Sequence, residues 1–462
     1  MNKIRISGVH YDALHRHLFP RDGKEAVAIA LCGRSEHGDD QVLLVQELFL
    51  VPHAACLVRE PDRVLWPTSL IDEALQKAAR SKMAIVKIHC HPGYYEQFSP
   101  SDNASDDALF KCIHAWLDDD RPHASCIMLP DGRVFGRFFL PSMEIELLHQ
   151  FSVAGSRIEH WYYGSEADYK ESLQLRNLQA FGPATIGILS RMKIAVLGCS
   201  GTGSPTIEQL KRLGVGELLL VDPDYVDFLN LNRIIGSTYR DAQAKRAKTE
   251  VMEREIGKTG FGTRVRMYTD FVSTREIVED LTTCDLIFSC VDGAEGRHIA
   301  NLVSSFYLIP LIDMGVKFTC AADGSIHAIF GSVHFVQPGG SSLLSRGQYD
   351  LHNLRGEAIR RANQEEAARN QYLAAAGVSS PAVISINMQV SATAVNEFLA
   401  RIHPYRNIAG EDVDVVRIHF ADCSTFYEGG FEPCPFFQKY VGRGDMDPLL
   451  NNPEFSHVQK VG

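Results

Sequence analysis

Apolar residues along this chain fall into short runs separated by polar stretches with helical spacing, and that alternation predicts two successive α/β blocks. The first block reads as strands at "EAVAIALCG", "QVLLVQELFLV", "MAIVKIHCH", "ASCIMLP" and "VFGRFFL", with helical segments near Ser69–Lys82 and Ser101–Leu117. It predicts a domain over residues 1–155. A polar and aromatic, helix-rich connector follows over 156–190. The second block, 191–445, opens with "MKIAVLG" and continues through "ELLLVD", "RVRMY", "CDLIFSCVD" and "IPLIDMGV". Strands alternating with helices predict a mostly parallel sheet with crossover connections. Within this block Pro338–Ser379 is polar and reads as a long crossover, and the tail 446–462 reads as irregular.

Composition narrows the class. With 462 residues, two or three cores are expected. A hydrophobic share of 45% against 22% charged residues excludes a mainly disordered chain. Forty-six basic against 57 acidic residues leave a formal charge of −11, with no long basic run. Neither nucleic acid nor an anionic membrane is therefore expected as the main partner. The N-terminus has no apolar core of signal-peptide length, and no later run approaches a membrane span. The 11 cysteines are scattered through apolar stretches, unlike a disulfide framework, which predicts a reducing, cytoplasmic setting.

Candidate chemistry appears first at "HCHPGYYEQFSPSD", from His89 to Asp102. Strand periodicity puts His89 and His91 on one face, roughly 7 Å apart along the strand, with Cys90 pointing away. Pro92 and Gly93 then break the strand. Ser99, Pro100 and Asp102 form an S-x-x-D capping box that opens a helix, and a residue in that first turn can still face the strand. Glu47 lies in the apolar strand "VLLVQELFLV", where a carboxylate is costly unless paired or catalytic. Glu47 followed by His89-x-His91-Pro-x(6)-Ser99-x(2)-Asp102 resembles the JAB/MPN+ (JAMM) metalloprotease family over roughly residues 1–150. That resemblance implies an N-terminal JAB/MPN α/β metalloprotease domain with Zn2+ held by His89, His91 and Asp102 and water in the open position. It further implies Glu47 as general base and Ser99 as an oxyanion stabiliser. Glu47 stands outside the compact motif, and Glu60, Glu73 and Glu96 are its alternatives.

The second constellation is "VLGCSGTGS". Gly198-x-x-Gly201-x-Gly203 follows a strand and precedes a helix, and Asp222 ends the next strand. Alone, this predicts a dinucleotide site. Asn230, Arg233 and Lys248 follow, then Asp292 with Arg297 in "CVDGAEGR", a set that suits a triphosphate with Mg2+ better. Together these residues resemble the ThiF/MoeB activating-enzyme family over roughly 170–445. The resemblance implies a Rossmann-like adenylation domain binding ATP, with Asp222 on the ribose, Asn230, Arg233 and Lys248 on the phosphates, and Asp292 on Mg2+. Arg176 matches an arginine that members of that family insert into the partner subunit's site, which implies a homodimer. Three departures stand out, the first being Ser200 where the family has a glycine at the middle of the turn. Where the family often carries two C-x-x-C pairs for structural zinc, this chain has Ser342-Leu-Leu-Ser345 and Cys434-Pro-Phe-Phe437. The segment Ser341–Pro381, where a thioester cysteine is expected, contains none, leaving Cys199, Cys320, Cys423 and Cys434.

The two resemblances converge on the C-terminus of a ubiquitin-like protein. They imply a bifunctional enzyme that processes such a protein, or its conjugates, by zinc-dependent hydrolysis and activates its carboxylate with ATP. Fusions of this kind resemble bacterial ubiquitin-like conjugation systems, some of them defensive against phage, which implies a conjugating enzyme as a further partner. The alternatives are a sulfur-carrier system, with a sulfurtransferase as partner, and a binding scaffold with a degenerate adenylation site.

Overall fold

The computed structural model describes residues 1–38, 40–164, 166–320, 326–362 and 381–455. The chain divides into two compact units: Met1–Ser165 with Ser305–Leu308 and Tyr440–Gly462, and Glu166–Ser304 with Ile309–Lys439.

In chain order the first unit contains β1 (Asn2–Ser7), α1 (Gly8–Leu18), β2 (Val27–His37), β3 (Asp40–Leu50), β4 (Val58–Glu60), β5 (Arg63–Leu65) and α2 (Asp72–Ser81). Then come β6 (Ala84–Cys90), α3 (Pro100–Leu117), β7 (His123–Met128), β8 (Val134–Phe139), β9 (Ile145–Leu147), β10 (Gln150–Ala154) and β11 (Ile158–Tyr162). All but the β4–β5 hairpin join one nine-stranded sheet in the order β11-β10-β1-β3-β2-β6-β7-β8-β9. Both faces are covered, and strand alternation sorts the side chains between them. In β2, Ala28, Ala30 and Cys32 pack with Leu14 and Leu18 of α1, while Val27, Ile29 and Leu31 pack with Ala74, Leu75, Phe110 and Ile113 of α2 and α3. In β6, Val86, Ile88 and Cys90 take the α1 face, so alternation turns Lys87 and His89 towards α3.

Residues 158–162, within the expected connector, pair antiparallel with β10 and extend the first unit's sheet. The C-terminal segment also returns to this unit. Gly444 bridges Arg34 of β2, Asp445 N donates to Arg34 O at 2.7 Å, and Leu449 and Leu450 are buried. The described part of the tail is therefore anchored, while 456–462 lie outside the described residues.

The second unit begins with α4 (Glu171–Leu189), kinked at Gly182 and Pro183. It continues with β12 (Lys193–Leu197), α5 (Gly203–Leu213), β13 (Glu217–Val221), α6 (Tyr239–Gln243), α7 (Lys248–Gly257), β14 (Arg264–Tyr268), α8 (Arg275–Leu281) and β15 (Leu286–Ser289). After α9 (Ala294–Tyr307), whose last residues belong to the first unit, come β16 (Leu311–Cys320), β17 (Ile326–Val336), α10 (Leu351–Ala362), α11 (Ile384–Ile402), β18 (Val415–His419), β19 (Ser424–Glu428) and α12 (Pro435–Gln438). The sheet order is β14-β13-β12-β15-β16-β17-β18-β19. The first five strands are parallel, and β16 to β19 are antiparallel. The chain steps outward from β12 to β14 and then returns to β12's other side with β15. That reversal is the switch point at which open α/β sheets bind ligands.

The two segments that lack zinc-binding cysteines still meet. Cys434 N donates to Gly340 O at 3.0 Å, and Gln438 Nε2 donates to Gly339 O at 2.9 Å. Ser342 and Ser345 cap each other's backbone N–H, at 2.9 and 3.1 Å, and Phe437 is buried. Hydrogen bonds and an apolar plug hold this junction.

Candidate functional site

The first site is assembled by β6 and the start of α3. His89 Nε2 lies 3.1 Å from Asp102 Oδ1, His91 Nε2 lies 3.4 Å from Asp102 Oδ2, and the two Nε2 atoms are 3.2 Å apart. This is the only grouping of three potential metal ligands among the described residues. The capping box explains why Asp102 is so placed. Ser99 Oγ accepts from Asp102 N at 3.1 Å, while Asp102 Oδ2 accepts from Ser99 N at 2.8 Å and from Ser99 Oγ at 2.7 Å. The Ser99 hydroxyl is thus engaged in orienting Asp102, and an oxyanion role requires that bond to be given up. Burial opposes ionisation of Asp102, but its bonds with His89 and His91 outweigh that and hold it far below the usual carboxylate range. Burial also pushes the His89 imidazole down to about 4, keeping it neutral.

These residues fit a zinc ion. Tyr95 O can only accept, so at 2.7 Å from His91 Nδ1 it assigns a proton to Nδ1, and the neutral imidazole then keeps its lone pair on Nε2. Two imidazole nitrogens and a carboxylate converging on one point form a three-ligand N/N/O set of the kind that holds zinc.

Glu47 is not part of this cluster. It pairs with Leu31 on β2 and holds Lys77 of α2 through both carboxylate oxygens, at 2.8 and 3.0 Å, with 43% of its side chain exposed. The carboxylate at the cluster is Glu25, 4% exposed, with Oε1 3.7 Å from His91 Nε2. Burial pushes it up to about 7, against the pull of His91. Pairing register explains the exchange. On antiparallel β2 and β6, Val27 faces His89, so Glu25, two residues upstream, falls opposite His91. Glu47, on β3, pairs instead with Leu31, six residues beyond Glu25 along the chain and roughly 20 Å at strand rise. The available sequence signal was a charged residue directly before the buried run "AVAIALCG".

The second site lies at the switch point, in a cleft of about 1990 Å3. Gly198 has φ +91°, and a Cβ on Gly203 would stand 1.8 Å from Gly198 O, so the turn needs glycine at both positions. Gly198, Gly201, Asp222, Asn230, Arg233, Lys248 and Asp292 all line this cleft. Asp222 Oδ2 accepts from Cys199 N at 2.7 Å, and its Oδ1 accepts from Asp224 N at 2.9 Å, which ties β13 to the glycine turn. Burial raises its pKa, and Lys248 opposes the shift from 3.5 Å while also holding Asp224 at 2.7 Å. Asn230 Oδ1 is used locally, accepting from Asp227 N at 3.1 Å.

Arg297, already singled out in the sequence, and two residues beyond the sequence-based set, Asp313 and Glu357, shape the loop of Asp292. Arg297 Nη1 donates to Asp292 O at 3.1 Å, while its Nε is held by buried Asp313 at 3.1 and 3.2 Å. Glu357 of α10 accepts from Ala294 N and Glu295 N at 3.0 and 2.9 Å, capping α9 beside the same loop. Arg176 is exposed on α4, donates to Gln179 Oε1, and does not line the cleft. Cys199 and Cys434 are buried, Cys423 is exposed, and the side chain of Cys320 lies outside the described residues. Cys290 lines the cleft, its thiol pushed up to about 12 by burial. Positions 363–380 of the cysteine-free crossover lie outside the described residues.

A glycine turn between β12 and α5, with an acid ending the neighbouring strand, defines a Rossmann-like nucleotide-binding unit. The chain belongs to the ThiF family, whose sequence profile matches residues 172–408. It is similar to ubiquitin-like modifier-activating enzyme 5 of Drosophila willistoni, 30% identical over 164 residues, 33% of this chain and 38% of that protein. The same-named protein of Aedes aegypti is 29% identical over 213 residues, 44% of this chain and 52% of that protein. This chain thus spans about half or less of the length of these relatives. Among solved structures, E. coli MccB with ATP aligns at 17% identity and a TM-score of 0.43, over 58% of this chain and 73% of that one. Among the described residues, no helix is long and apolar enough to cross a membrane.

Proposed function

We propose that the protein is a bifunctional enzyme of a ubiquitin-like system, a zinc peptidase joined to an ATP-dependent adenylating domain. The observation that carries the peptidase half is the convergence of His89, His91 and Asp102 with the buried carboxylate of Glu25 beside them. Zinc held by these three ligands would supply a Lewis acid and lower the pKa of water towards neutrality. Glu25 would accept the proton of the attacking water and pass it to the leaving amine, and Asp102, steadied by Ser99, would keep its carboxylate aligned. Membership of the ThiF family and the cleft at the switch point support the other half. There Arg233 and Lys248 would neutralise phosphate, Asp222 would hold the ribose, Asp292 would ligate Mg2+, and the substrate would be the C-terminal carboxylate of a ubiquitin-like protein. The exposed position of Arg176 fits its supply to a second subunit's cleft in a homodimer.

Among the described residues lining the cleft the one thiol is that of Cys290, held protonated, so the acyl-adenylate would pass to an external acceptor. The test is carrier-dependent exchange of pyrophosphate into ATP. It should be present in the unaltered protein and lost in Asp292→Ala, with no thiol-sensitive adduct on a non-reducing gel. A thiol-sensitive band that vanishes on mutating Cys320, Cys423 or Cys434 would sink the external-acceptor reading; exchange that persists without Asp292 would sink the assignment of the Mg2+ ligand.

A further inference from the structure

Beside the metal cluster lies a buried charge triad with no place in the chemistry described so far. Lys87 Nζ meets Asp106 Oδ1 at 2.6 Å, and Arg137 Nη2 meets Asp106 Oδ2 at 2.8 Å. Lys87 is 3% exposed, Asp106 0% and Arg137 8%. Removing three charges from water is expensive, and well-packed apolar residues usually stabilise a core as well or better. Stability alone is therefore a poor reason for the triad.

Its placement suggests another. Lys87 stands two residues before His89 on β6, and Asp106 stands one helical turn after Asp102 on α3. The same strand and helix thus carry two parallel rungs, His89–Asp102 and Lys87–Asp106. Arg137, on β8, adds a third attachment. Its Nη1 donates to Asn103 Oδ1 at 2.6 Å, and its guanidinium lies 3.8 Å from the ring centre of Phe98, the residue before the helix cap. A helix that slips by one residue moves about 1.5 Å and turns each side chain by roughly 100°, which would carry Asp102 away from both imidazoles.

We propose that Lys87, Asp106 and Arg137 are positioning residues that fix the register of α3 on β6 and so place the Asp102 carboxylate against His89 and His91. This rests on reading the cluster as a zinc site. The triad acts before any metal arrives, so its effect is on metal affinity as well as on turnover.

Two variants of the full-length protein test this, both leaving the local net charge unchanged so that simple repulsion of a cation drops out. Arg137→Lys keeps the charge but loses the fork that joins Asn103 to Asp106. The double variant Lys87→Met/Asp106→Asn removes the rung and leaves Arg137 two amide oxygens to bind. Zinc affinity is measured by competition with a chromophoric chelator, alongside urea unfolding. Each folded variant should bind zinc roughly 10- to 100-fold more weakly, the range found when partners that orient metal ligands are lost. A purely structural triad would lower the urea midpoint while the folded protein bound zinc unchanged, and that result overturns the proposal. If one variant does not fold, the other carries the test. His89→Ala/His91→Ala is the control. An unaltered chain that binds no zinc, or no more than this control, removes the metal reading itself, whereas tight binding by chain and variants alike removes only the positioning role.

Discussion

Glu25 sits in a setting that favours its neutral form, buried and close to Asp102, with His91 as the counterweight. A carboxylate so balanced can accept a proton and return it. Glu25→Gln should therefore keep stoichiometric zinc while hydrolysis of a ubiquitin-like precursor tail falls by about 10² or more. Glu47→Gln should change neither beyond a factor of about two, because its partner Lys77 belongs to an exposed ion pair of small energy. Elemental analysis and cleavage rates on the two purified variants decide between them. A reversed pattern, with Glu47→Gln inactive and Glu25→Gln active, would restore the strand carboxylate of β3 as the base.

At the scale of elements, both sites are strand-to-helix turns whose backbone geometry is dictated locally. The β6–α3 turn ends in a complete capping box, and the β12–α5 turn closes so tightly that Gly203 has backbone where a side chain would be. The atom a methyl group would strike is the Gly198 carbonyl oxygen, which cannot rotate away as a side chain could. Gly203→Ala should thus destabilise the second unit by about 1–3 kcal/mol through overpacking and open the phosphate turn. Calorimetric titration with ATP should show binding weakened by at least an order of magnitude, with zinc content unaffected. Unchanged ATP affinity at unchanged stability would mean that the turn relaxes in a way this backbone does not suggest. The Ser342–Ser345 turn makes the complementary point. Side-chain hydroxyls cap the backbone there, at positions where the resembled family often has cysteines.

At the scale of the molecule, a single zinc requirement should separate the two activities. Stripping zinc with a selective chelator and restoring Mg2+ should abolish peptidase activity and leave pyrophosphate exchange intact, because the only three-ligand cluster among the described residues is in the first unit. Exchange recovered only by adding zinc would point to a second metal site. The proposed homodimer is tested by complementation. Arg176→Ala and Asp292→Ala, each inactive in exchange, should regain activity when co-expressed, since a mixed dimer contains one cleft with its own Asp292 and the partner's intact arginine. Two inactive variants that stay inactive together, while forming mixed dimers, would show that Arg176 serves its own chain or none.

The convergence of His89, His91 and Asp102 was legible in the amino-acid order because all three lie within one strand–turn–helix segment, where local periodicity and capping place side chains without help from the rest of the chain. The same holds for the glycine turn and Asp222, which neighbouring elements bring together. Glu25 was not legible. Its place beside His91 depends on the register between β2 and β6, strands separated in the chain by β3, the β4–β5 hairpin and α2, and no local pattern encodes that offset. Glu47 drew attention because alternation marks a charge in an apolar strand, yet alternation cannot say which neighbour will neutralise it, and α2 supplied Lys77. Asp313 and Glu357 share that character, as do Lys87, Asp106 and Arg137. Each is an unremarkable charge in sequence, given meaning by contacts between elements far apart along the chain. Local order determined which atoms could do chemistry; the packing of distant elements decided which carboxylates stand beside them.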